Sequence, residues 1–200
     1  MDKWYAHPFT TVLLVTTPLP TGADYSNKRT YYERGWCNIE KRLSGIVKDD
    51  DCFWDLSGYQ GATNHIGCQN QMKAGRQPFM SPEAAERELR QGVADGSIHF
   101  SYVSDMDGVI NMYREGFVRA FETFNYGIVG SKYNTVFYQN LGWGAAEAPT
   151  LVEAIKYADR HCDKEKTGKL FLNFNENNFT EEEKAELIGT TDGSKIVVRA

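Results

Sequence analysis

Apolar and polar positions along the chain alternate between short unbroken runs and longer periodic stretches. The run Thr11-Val-Leu-Leu-Val-Thr-Thr17 carries no charge and stops at Pro18-Leu-Pro20, which predicts a buried strand followed by a loop. From Tyr31 to Val47 apolar side chains recur at Tyr32, Trp36, Ile39, Leu43 and Ile46, and the 4, 3, 4, 3 spacing predicts an amphipathic helix with these five facing inward. Lys48 and Asp49-Asp-Asp51 end it, and Cys52-Phe-Trp-Asp-Leu56 is expected to be a second strand. The Gly-, Asn- and Gln-rich segment from Tyr59 to Phe79 then reads as a long loop.

Ser81-Pro82-Glu83 combines a capping hydroxyl, a proline suited to the first helical position and an acid at the positive helix end, so a helix to about Ala94 is expected. Asp95-Gly96 turns the chain into an extended piece from Ser97 to Val103. Ser104-Asp-Met-Asp107 then has the form of a capping box. The stripe that follows, Met106, Val109, Ile110, Tyr113, Phe117, Ala120, Phe121 and Phe124, predicts the main core helix.

In the last third, Val136-x-Tyr138-x-x-Leu141-x-Trp143 aligns with Leu172-x-Phe174-x-x-Asn177-x-Phe179 at an offset of 36 residues. Each copy reads as strand, turn and helix, and Lys195-Ile-Val-Val198 supplies a further strand. Such units bury their faces by stacking side by side. The second copy resembles the LxLxxNxL core of leucine-rich repeats of the ribonuclease-inhibitor type, and the resemblance runs from Thr135 to Ala200. The expected whole is one α/β domain over residues 1–200, with a small mixed or parallel sheet flanked by helices and short strand-helix repeat units at the C-terminus. Its sub-regions are 1–60, 61–80, 81–134 and 135–200.

A hydrophobic fraction of 41%, with 13% of all residues aromatic, is enough for a core in 200 residues. The net charge of −5 divides as 11 basic against 12 acidic residues up to position 100 and 11 against 15 beyond it. That leaves no electrostatic footprint for nucleic acid or an anionic membrane. The longest apolar run is too short to span a bilayer and lacks the basic start of a signal peptide, so a cytoplasmic protein is expected. Cys37, Cys52, Cys68 and Cys162 have no zinc-ligand spacing and are expected as reduced thiols. The sequon Asn178-Phe-Thr180 has little meaning in that setting.

Glu40 lies on the flank of the first helical stripe. A carboxylate half covered by Trp36 and Tyr32 suits acid, base or ion-stabilising chemistry. On spacing alone the position is better read as a surface glutamate in contact with Arg34, Lys41 or Ser44. An apolar strand, a loop and a helix bearing Trp-Cys-x-x-Glu is similar to the third strand and following helix of TIR domains, over Thr11 to Tyr59. The resemblance implies Glu40 as the catalytic carboxylate of NAD cleavage, with NAD as substrate, or a module acting through self-association. By the same resemblance, the first strand, first helix and nucleotide loop of a TIR domain would precede Met1.

No HxxxH, Gly-x-Ser-x-Gly, phosphate-loop or GxGxxG signature is present. Asp163-Lys-Glu-Lys-Thr-Gly168-Lys-Leu170 imitates half an EF-hand loop, but position 12 is Phe174 where calcium needs a carboxylate, so a turn is expected and no metal. The leading expectation is a protein-interaction or scaffold module with a protein partner, without cofactor or catalysis of its own. Trp36, Tyr32 and Trp143 are the candidate interface or substrate-binding residues. NAD glycohydrolysis or a related N-glycosidic reaction using Glu40 is the alternative.

Overall fold

The computed structural model describes residues 2–22, 24–25, 27–72, 75–124, 134–163 and 168–200. Helix α1 (Asp2–Tyr5) precedes strand β1 (Val12–Leu14), helix α2 (Gly35–Gly45), strand β2 (Phe53–Asp55) and helix α3 (His65–Met72). Helices α4 (Pro82–Asp95) and α5 (Asp105–Thr123) follow. Strand β3 (Asn134–Phe137), helix α6 (Ala148–His161), strand β4 (Leu170–Asn173), helix α7 (Glu181–Ile188) and strand β5 (Ile196–Arg199) complete the order. The fold is mixed α/β, and the strands form two separate parallel sheets, β1-β2 and β3-β4-β5.

Helix α2 starts four residues later than its apolar spacing suggests. The amide of Gly35 donates to the His99 carbonyl at 2.9 Å and His99 returns a bond to the Glu33 carbonyl at 2.8 Å, so residues before Gly35 bridge to the chain entering α5 and do not coil. Gly35 also lies against the Phe100 ring, leaving no room for a β-carbon. Tyr32 is therefore outside the helical register and 49% exposed, not in the buried stripe, while Ile39, Leu43 and Ile46 are buried as expected.

Ser81 accepts the Ala84 amide at 3.0 Å and caps α4, and Gly96 in the left-handed region ends it. Ser104 corrects its expected role: it has helical backbone angles and no side-chain cap bond, and the capping box proposed there does not form. The stripe of α5 is buried along its length, with Met106 half-covered. The loop expected from Tyr59 to Phe79 contains α3, and of the extended piece from Ser97 to Val103 only His99 bridges another strand-like segment. Residues 164–167 of the turn expected at Asp163 to Leu170 lie outside the described residues.

The repeat is laid out at its sequence offset. Asn134 to Phe137 pair with Leu170 to Asn173, each residue opposite the one 36 positions on. Asn177 locks the two copies: its amide nitrogen donates to the carbonyls of Tyr138 and Phe174, each at 2.7 Å, and its oxygen accepts from the amides of Leu141 and Trp143 at 2.9 and 3.2 Å. Tyr138 and Phe174 stack beneath them with centroids 4.9 Å apart and planes 12° apart. One continuous core runs from Ala6 through α2, α5 and α6 to Val198, and a small second cluster, Leu14 and Phe53, lies under the two-stranded sheet.

Two cations are buried in this frame. Arg76 donates to the carbonyls of Gly45, Ile46 and Phe137 at 2.8, 3.0 and 2.7 Å and stacks on Tyr138 at 4.2 Å. Lys48 donates to the His7 carbonyl and to the Thr10 hydroxyl, and burial pushes its ammonium down to about 8. Arg76 clamps the C-terminal end of α2, whose carbonyls have no helical partner, and Lys48 ties the chain just after α2 to the segment between α1 and β1.

Candidate functional site

The sequence-chosen residues do not converge. Glu40 is half-buried on α2, where its backbone carbonyl accepts the Ser44 hydroxyl at 2.7 Å. Tyr5, nearby, is pushed up to about 12, first by burial and then by its interaction with the Glu40 carboxylate. Tyr31 and the Cys37 thiol are also raised, mainly by burial and further by Glu40. Glu40 thus sits among two phenols and a thiol, held by the N-terminal segment that packs over α2.

Trp36 is half-buried and donates from its indole nitrogen to the Asp105 carboxylate at 3.3 Å, tying α2 to the start of α5. Tyr32 is surface-lying, with the Lys41 ammonium 4.7 Å above its ring. Trp143 is a correction: at 5% exposure, with its indole donating to the Arg76 carbonyl at 3.2 Å, it has no surface to offer a partner. Its apparent fitness as an anchor comes from the core, where large aromatics bury the most area.

The carboxyl end of the two-stranded sheet holds Thr16, Asp55 and Ser57. Burial alone would raise Asp55, but the Thr16 hydroxyl at 2.6 Å and the Ser57 amide at 3.0 Å outweigh it and hold the carboxyl below its usual range. That cluster is closed on itself. Beside it, the chain after β1 folds back on the entry to α2 and encloses an open cleft of about 620 Å³. Tyr31 lines this cleft, whereas Glu40 and Trp36 do not. Sequence reasoning passed over this loop; its signal was the interleaving of Tyr25, Lys28, Arg29, Tyr31 and Arg34.

The other feature of this end is β1 itself. Leu13 in β1 is 54% exposed and Val15, just past its end, is 61% exposed, while Leu14 is buried, so the run expected to be a buried strand is covered on one face only. Among the described residues β1 pairs on one edge only, with β2. Helix α3 packs against β2, where Trp54 meets the His65 ring at 5.7 Å, and leaves Leu13 uncovered.

The remaining candidates are isolated. Cys37, Cys52 and Cys68 are half-buried free thiols and Cys162 is a buried one. His161 stacks on Tyr157 at 4.0 Å. Among the described residues no cluster of His, Cys, Asp or Glu could hold a metal ion, and no helix is long and apolar enough to cross a membrane. Comparison of the chain with family models, curated proteins and solved structures finds no match.

Proposed function

We propose that the chain is a protein-binding module whose partner covers the open side of β1. One observation carries this reading: Leu13 is exposed on a parallel strand that is paired on a single edge among the described residues, and Val15, just past the end of that strand, is exposed too. Parallel strands are ordinarily covered on both faces, because their crossover helices lie there, and an unpaired edge is a template for another strand. An extended segment added to β1 would gain main-chain hydrogen bonds along the edge and apolar contact with the two side chains. The TIR-like resemblance of this unit, with its implied self-association, supports the same reading.

The test is the double substitution Leu13→Lys with Val15→Lys. Both side chains already face solvent, so stability is expected to stay within about 0.5 kcal/mol. Proteins co-purifying with the wild-type chain, or its self-association in sedimentation, are expected to be lost. Identical partner profiles for the two chains would sink the reading.

The second reading, N-glycosidic cleavage of NAD by Glu40, has one observation in its favour: Tyr31 both lines the cleft and feels the field of Glu40. Against it, Glu40 lies outside the cleft lining. The expected result is no nicotinamide release above a blank from either the wild type or Glu40→Gln. Release by the wild type that Glu40→Gln abolishes would reinstate the enzyme.

A further inference from the structure

The cleft after β1 differs in charge from the chain that forms it. Lys28, Arg29 and Arg34 line it and no carboxylate does, in a protein with 22 basic and 27 acidic residues. The Arg34 guanidinium is fixed in the wall by two bonds to the Arg29 carbonyl, at 3.1 and 2.8 Å. The neighbouring acid, Glu33, is turned to the Thr30 amide at 2.6 Å, which lowers its pKa, helped by the nearby His99 and Arg29. Asp24, in the same loop, is absent from the lining. No ion pair of Lys28, Arg29 or Arg34 occurs among the described residues.

Arg34 is also the N-cap of α2, a helix with no side-chain cap and no acid in its first turn. Its positive end therefore adds to the same field. The same cleft is lined by apolar side chains, Val15, Leu19 and the flanking prolines, together with Tyr25. The volume is within the range of small-molecule sites, which combine an apolar lining with a few convergent polar groups.

We infer that this cleft binds a small amphiphilic anion: a phosphate or carboxylate headgroup on Lys28, Arg29 and Arg34, with an aromatic or branched apolar body against Leu19 and Tyr25. The cations select the headgroup, since guanidinium and ammonium bonds to such anions are charge-assisted. The apolar wall selects the body. The site stands beside the partner-binding reading and does not depend on it, because its ligand is titrated with no partner present.

Calorimetric titration of the chain with phenyl phosphate, phenylacetate, inorganic phosphate and phenol tests this. Phenyl phosphate or phenylacetate is expected to bind at least about tenfold more tightly than inorganic phosphate and phenol, and whichever is tighter identifies the headgroup. Lys28→Glu with Arg29→Glu is expected to weaken that binding by about tenfold or more and to flatten its salt dependence. Leu19→Ala is expected to weaken the aryl anion and leave inorganic phosphate unchanged. Equal binding by the charge-reversed variant, or no saturation by either aryl anion below about 10 mM, would overturn the assignment. So would an acidic peptide such as hexaglutamate binding more tightly than both.

Discussion

Replacing Arg76 with methionine is expected to lower stability by about 4 kcal/mol, read as a loss of roughly 10 °C in Tm or a matching fall in the urea midpoint. Methionine fills the space of the arginine stem but leaves the carbonyls of Gly45, Ile46 and Phe137 without this donor, and the Tyr138 ring without the guanidinium stacked on it. The Gly45 and Ile46 carbonyls belong to the end of α2 and the Phe137 carbonyl to β3, so the single side chain fastens the first sheet's helix to the edge of the second sheet. Buried acceptors left unsatisfied cost about 1 to 3 kcal/mol each, which makes the loss larger than that of an exposed ion pair. Arg76→Lys is expected to recover less than half, because one ammonium lacks the planar fork that reaches three oxygens and stacks on a ring. A methionine variant as stable as the wild type would show that Tyr138, which also donates to the Ile46 carbonyl at 2.5 Å, is sufficient there.

Asn177→Ala is expected to cost about 3 kcal/mol by the same measurement. The side chain satisfies two carbonyls and two amides of turns 36 residues apart, and alanine leaves all four to find water in a half-buried loop. The partial replacement Asn177→Asp keeps the acceptor for Leu141 and Trp143 but places a carboxylate against the carbonyls of Tyr138 and Phe174. It is expected to be as destabilising as alanine at neutral pH and to recover below the carboxyl pKa, where a protonated oxygen donates again. The two substitutions together separate the ladder from general packing: a loss in Asp that does not change with pH would assign the cost to something other than donation.

The elements with strong periodicity were legible. The stripe of α5, the inward face of α2, the cap at Ser81 and the 36-residue offset each follow from spacing alone, because burying a regular face admits one register. The capping box Thr180-Glu-Glu-Glu183, which the sequence reading passed over, forms in full at the start of α7. Helix α3 was hidden, since His65-Ile-Gly-Cys-Gln-Asn-Gln-Met72 has no apolar stripe and only Met72 is buried. The start of α2 was misplaced because the bridge from Arg34 to His99 is a contact across 65 residues, which no local pattern encodes.

The site was less legible than the fold. Trp36 was singled out by the helical stripe and Trp143 as a repeat position, and neither pattern distinguishes an anchor in the core from one at a surface. Arg76 and Lys48 were passed over because charged residues in a polar loop and at a helix end are ordinarily solvated. Their burial is decided by carbonyls contributed from elsewhere in the chain. The cleft behind Lys28 and Arg29 likewise depends on how the loop after β1 folds back, a path set by Pro18, Pro20 and the brace from Arg34 to Arg29.

The central claim is that the open side of β1 is where a partner protein sits. The most direct measurement places a photo-crosslinking residue, p-benzoylphenylalanine, at Leu13 and, as a control, at the exposed Ser194 of the far turn before β5. After irradiation in extract and with the purified chain, position 13 is expected to yield a discrete protein adduct, either a second copy or one other protein, that position 194 does not. Equal adduct patterns at the two positions, or none at position 13 in either setting, would contradict the claim.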